Sequence, residues 1–160
     1  MLIFFDTEFT ELGMDPRLIS IGLVAEDGIS TFYAELSDTY LPYNCSDFVK
    51  DEVLPHLQRG EYLMTMSELS LQLGNWIESF ECPVSLITDS LDWDWPYIRE
   101  LFRLPGTWPA NLSRSPETMR DIQEIEDVVD AVFESHRPKL RRHHAVDDAR
   151  ANWVGWRVAA

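Results

Sequence analysis

Cysteine is scarce in this sequence. Cys45 and Cys82 are the only two among 160 residues. Small secreted scaffolds carry more, since they rely on disulfides for stability. The chain is therefore expected to be cytoplasmic, with both thiols reduced. Long apolar runs are lacking too, and none reaches the length a membrane span needs. The opening Met1-Leu2-Ile3-Phe4-Phe5-Asp6 has no basic leader and no small-residue cleavage site. It is expected to be a strand and not a signal peptide, and no membrane partner is expected. Basic residues are in short supply: 13 Lys and Arg stand against 28 Asp and Glu, a formal charge of −15. Such a balance disfavours a broad basic face for holding phosphates. If nucleic acid is the ligand, contact must be local and aided by bound cations.

What is present suits a folded globular domain. Apolar residues make up 45% of the chain, and the length favours one domain over 1–160 with a real core. Leu2 to Asp6 reads as a buried strand, Leu18 to Ala25 as a second, and Ser30 to Leu36 as a third. Glu26-Asp27-Gly28 is a hairpin turn signal between the last two. Helices are expected from Phe48 to Leu57 behind a Ser46-Asp47 cap, and from Ser67 to Phe80 on the spacing of Leu69, Leu73, Trp76, Ile77 and Phe80. A strand over Val84 to Thr88, a helix over Trp95 to Phe102 and a loop over Leu104 to Pro116 follow. Helices over Arg120 to Phe133 and from about Ala145 onward complete the pattern. A three-stranded antiparallel meander followed by α/β units implies a mixed sheet carrying helices.

Three acidic clusters carry the chemistry. Asp6 and Glu8 are two apart on the first strand, so both carboxylates leave the same face. Like charges that close repel unless a cation sits between them, and Mg²⁺ or Mn²⁺ prefers such oxygens. Taken alone, Asp-x-Glu is more often a solvated strand end. Asp92 and Asp94 lie between the fourth strand and its helix, and either can be a helix cap. His143-His144-Ala145-Val146-Asp147-Asp148 pairs a histidine with an aspartate five residues on. These face each other only if His143 sits in a loop and Asp148 in the first helical turn. A histidine there is suited to general-base work, and either His143 or His144 fits the spacing to within one position. The run from His136 to His144 has no acid. A basic run alone is usually a solvated loop, yet this one ends on the histidine pair.

Jointly, Phe4-Phe5-Asp6-Thr7-Glu8-Phe9-Thr10, Trp93-Asp94 with Ile98, and His143 to Arg150 resemble the three motifs of the DEDDh (DnaQ-like) 3′–5′ exonuclease superfamily. Asp6 to Phe9, Leu18 to Gly28 and Val49 to Pro55 are similar to a compact bacterial and phage group of exoribonuclease-like members. Glu11 stands where that superfamily often has Gly. The resemblance implies an RNase H-like α/β fold and hydrolysis of phosphodiesters from nucleic-acid 3′ ends, RNA favoured over DNA. It implies two Mg²⁺ or Mn²⁺ ions held by Asp6, Glu8, Asp94 and Asp148, with Asp6 bridging. His143 becomes the base that deprotonates water. Phe9 and Thr10 become contacts to the terminal nucleotide, and Arg141, Arg142 and Lys139 phosphate contacts. A homodimer comes with the narrower group. Two other functions use the same residues differently. A non-enzymatic acidic interaction protein would show dispersed acids and no metal dependence. A metal-dependent phosphohydrolase of small nucleotides would not shorten an oligomer stepwise.

Overall fold

The computed structural model describes residues 1–120, 122 and 124–159. It is an α/β fold built on a mixed six-stranded sheet in the order β4-β3-β2-β1-β5-β6. The strands are β1 (Leu2–Phe9), β2 (Leu18–Ala25), β3 (Thr31–Leu36), β4 (Leu63–Met64), β5 (Ser85–Thr88) and β6 (Glu117–Thr118). β1, β2 and β3 form the expected antiparallel meander. β5 pairs parallel to β1 on its other side. The turn before β3 is held by Asp27, whose Oδ1 accepts the backbone N–H of Ile29 and of Ser30, each at 2.8 Å. The helices are α1 (Asp47–Glu52), α2 (Met66–Glu78), α3 (Leu91–Leu101), α4 (Ile125–Ser135) and α5 (Ala145–Ala159). This arrangement matches the RNase H-like expectation.

Side-chain alternation along β1 splits the core between the two sheet faces. Ile3 and Phe5 join Leu69, Leu73 and Ile77 of α2 and Ile98 of α3. Phe4 points the other way, to Ile87, Met119 and Ile125, with Trp153 and Trp156 of α5 against them. Phe4 and Phe5 are fully buried, each contributing roughly 1.5–3 kcal/mol of apolar burial. The same alternation sends Asp6 and Glu8 toward α5 and Thr7 toward α3.

Several boundaries differ from expectation. β1 continues to Phe9, so Asp6 and Glu8 lie within the strand and not beyond its end. Ser46 does cap α1, accepting the Val49 N–H at 3.2 Å, but the helix stops at Glu52. Pro55 lies in a separate 3₁₀ turn over Leu54–His56. α2 starts at Met66 because Thr65 and Glu68 form a capping box. α3 begins four residues early, at Leu91, so Pro96 is internal and Asp94 is not a cap. The helix expected over 120–133 is Ile125–Ser135; the part of that expectation at 121 and 123 lies outside the described residues. Among the described residues no helix is long and apolar enough to cross a membrane.

Candidate active site

The sheet brings the acids together at one end of β1. Asp6 is the register partner of Gly22 on β2. A Cβ on Gly22 would stand 2.1 Å from the backbone nitrogen of Val146. Only glycine lets α5 lie this close to the strand, and that approach carries Asp148 to Asp6 and Glu8. Ligand atoms of Asp6, Glu8 and Asp148 come within 4.8 Å of one another. A second set, Asp6, Asp89 and Asp94, does the same. Asp6 belongs to both. Among the described residues these are the groups of three or more candidate ligands that come so close.

Asp94 is 1% exposed and is gripped from two strands. Its Oδ1 accepts the Thr7 hydroxyl and its Oδ2 the Thr88 hydroxyl, each at 2.5 Å. Asp92 is exposed and pairs with Arg120 at 2.9 Å, away from the cluster. His143 has a left-handed backbone, φ +60°, two residues before the start of α5 at Ala145. Its ring sits edge-on against Phe48, centroids 5.1 Å apart. Asp6, Glu8, Asp94, Asp148 and His143 line one cleft of about 620 Å³, with Phe9, Phe48 and Trp93 on its walls. Phe9 is stacked on Trp93 at 5.6 Å. A larger depression of about 730 Å³ lies between α2 and the end of α3. Of the acids that line it, Glu100 pairs with Arg103, Asp38 accepts the Met66 N–H and Glu78 the Ala110 N–H, and among the described residues no group of three candidate ligands converges there.

Four other expected contacts fall outside this cleft. Thr10 is 1% exposed, and its hydroxyl accepts the Arg17 N–H at 3.0 Å. Arg141 binds Asp147 at 2.7 Å. Arg142 binds Asp130 at 2.7 Å and lies over the Phe133 ring. Lys139 donates to the Phe133 carbonyl. The basic run is thus held by internal partners.

The chain is similar to two 3′–5′ exoribonucleases of Mycobacterium tuberculosis, from strains CDC 1551 / Oshkosh and H37Rv. Each is 31% identical over 153 residues, spanning 94% of this chain and 88% of the relative. The chain belongs to their 3′–5′ exonuclease family. No family model matches it.

In this exonuclease the acids are strongly perturbed. Burial is the largest cause for each. Asp6 is held well above the usual carboxylate range by burial, then by Asp94, Asp148, Glu8 and Asp89. Glu8 rises to about 9 through burial and the charge of Asp148. Asp148 rises to about 8 through burial and Asp89. Asp94 rises only to about 7, because the Thr7 and Thr88 hydroxyls offset its burial. Desolvation lowers the His143 pKa, helped by Arg142 and His56 and opposed by Glu52. A neutral imidazole at neutral pH follows.

The donor set fits divalent metal. It consists of carboxylates in two triads with a shared member. Asp148 Oδ2 is sealed from solvent and has no hydrogen-bond partner, which is costly unless a cation completes it. Thr7, Thr88, Asp89 and Gly22 were not legible as site residues. Thr7 carried one signal, its place between two acids. Thr88 and Asp89 carried only their place at the end of a strand, where ligand groups gather in α/β sheets.

Proposed function

We propose that the protein is a metal-dependent 3′–5′ exoribonuclease of the DEDDh type, with two Mg²⁺ or Mn²⁺ ions held by Asp6, Glu8, Asp94 and Asp148. The observation that carries this reading is the pair of carboxylate triads sharing Asp6. Bound there, the ions would supply Lewis acidity and neutralise charge on the phosphate. This answers the net charge of −15, since cations turn the most acidic spot into an electrophilic one.

The residues divide the remaining work. His143, neutral at the start, takes a proton from the attacking water on an imidazole nitrogen. The water oxygen bonds to phosphorus and the bond to the 3′ oxygen of the penultimate nucleotide breaks. A nucleoside 5′-monophosphate leaves; the departing 3′ oxygen takes a proton from solvent and His143 releases its own, so the shortened strand ends in a 3′ hydroxyl. Thr7 and Thr88 fix the orientation of Asp94. Phe9 and Trp93 give the terminal base an aromatic wall, and such stacking tolerates any base. Thr10 supports Phe9 through its bond to Arg17. Arg141 and Arg142 reach phosphate only by sharing charge with Asp147 and Asp130. RNA is favoured over DNA because both relatives are named exoribonucleases. A homodimer accompanies the resemblance to the compact group.

The test is degradation of matched 5′-labelled RNA and DNA oligomers with Mg²⁺, Mn²⁺ or EDTA. A ladder that shortens from the 3′ end, faster on RNA and absent in EDTA, is expected. Immediate release of the labelled nucleotide, or unchanged rates in EDTA, would overturn the assignment.

A further inference from the structure

We propose that Asp89 is a direct ligand of the second ion, beside Asp6 and Asp94. The proposal rests on the two-ion reading above and adds a fifth carboxylate to it.

Strand register puts Asp89 there. β5 runs parallel to β1, with Ile87 the partner of Phe4. Phe4 and Ile87 point into the same core cluster. Asp6 is two residues beyond Phe4, and Asp89 two residues beyond Ile87. The period of two sends Asp6 toward α5, and Asp89, one residue past the end of β5, turns to the same side, where Asn152 of α5 donates to it. Ligand atoms of Asp6, Asp89 and Asp94 accordingly lie within 4.8 Å of one another.

The second triad needs such a donor. Asp6 is shared with the first triad. Both oxygens of Asp94 already accept hydroxyl protons at 2.5 Å, which draws their electron density away from a cation. Asp89 is differently placed. Asn152 Nδ2 donates to its Oδ1 at 3.1 Å, while the Thr88 hydroxyl, 3.4 Å from the same oxygen, has its one proton on Asp94. Oriented on one oxygen, the carboxylate presents the other. Asn152 is 3% exposed and sits one turn after Asp148 on α5. One helix therefore supplies a ligand to the first ion and aims a ligand at the second, the usual outer-shell arrangement around metals. The adjoining triad, which shares Asp6, holds a second sign of a cation-binding cluster: Asp148 Oδ2 is sealed from solvent and has no hydrogen-bond partner.

Mn²⁺ titration of the full chain, with free ion counted by EPR, tests this without an activity readout. Wild type is expected to bind two ions and D6N neither. D89N is expected to keep one and to weaken the other by at least about tenfold, the scale of metal-shell losses. E11Q removes the same charge from the same cleft and is expected to leave both affinities unchanged. Thermal melts in EDTA report that each variant is folded. If D89N binds two ions as wild type does, or if E11Q weakens binding as much as D89N, Asp89 is no ligand. If wild type binds no Mn²⁺, the two-ion reading itself fails, and the assignment of Asp89 falls with it.

Discussion

Asp6 and Gly22 are partners across β1 and β2, and the backbone of Val146 fills the place where a side chain on Gly22 would stand. The strand paired with the one that carries the shared acid is thereby pressed against the helix that carries Asp148. Gly22→Ala must push α5 away, because backbone atoms cannot yield as a flexible side chain can. Overpacking of this kind costs about 1–3 kcal/mol. A lower melting temperature is expected together with weaker Mn²⁺ binding. Unchanged values of both would mean that the close approach does not set the site.

Asp6 is the most crowded of the acids. Asp6→Asn removes its repulsion with Asp94, Asp148, Glu8 and Asp89. In EDTA the variant is expected to melt higher than wild type. With Mn²⁺ it should show no thermal shift and no hydrolysis. Near-normal activity in excess Mn²⁺ would contradict the role of Asp6 as shared ligand.

The pH dependence follows from the directions of the shifts. Glu8 and Asp148 have folded pKa values of about 9 and about 8, above their ordinary 4.5 and 3.8. Their protonated forms favour the fold. Their contribution to metal-free stability is thus fullest below about 4 and is lost as pH rises toward 9. His144 acts in the opposite sense. Burial, then Arg141, lower its pKa from 6.5 to about 4, so its contribution is present above 6.5 and is lost as pH falls toward 4. Melts in EDTA across pH 4 to 9 should show both limbs. D6N should flatten the alkaline limb, H144Q the acid one, and the Mn²⁺ shift should grow with pH. A Mn²⁺ shift independent of pH would contradict the linkage.

His143 and His144 separate chemistry from packing. His143→Ala is expected to lower the turnover rate about 10²–10⁴-fold with little change in melting temperature. His144 is 1% exposed, stacks on Tyr33 at 4.6 Å and bonds Gln58 Oε1 at 2.9 Å. His144→Ala should cost roughly 3 kcal/mol of stability, as for a truncated core ring. Its rate per folded molecule should change little. The reverse ranking would shift the third motif by one residue.

The sequence alone determined the elements whose signals are local. The run Leu18–Ala25 matches β2 to the residue, because eight buried positions bounded by polar ones leave little choice. Asp6 and Glu8 were legible as a pair because strand periodicity is fixed by the backbone. The joint motif pattern led to the exonuclease family before any contact was known. Tertiary structure decided the rest. β4 and β6 are two residues each and exist only through pairing with β3 and β5. Pro96 looked like a helix start, yet α3 begins at Leu91, and Asp94 is buried beneath two hydroxyls instead of capping. Arg141 and Arg142 read as free charge, but folding hands them Asp147 and Asp130. Two adjacent histidines are equivalent on paper. A left-handed turn at His143 sends one ring into the cleft and the other beneath Tyr33. Asp89 became part of the cluster only through the register of β5 against β1. Periodicity fixes which way a side chain leaves its own strand, while the neighbour it meets depends on pairing between residues far apart in the chain.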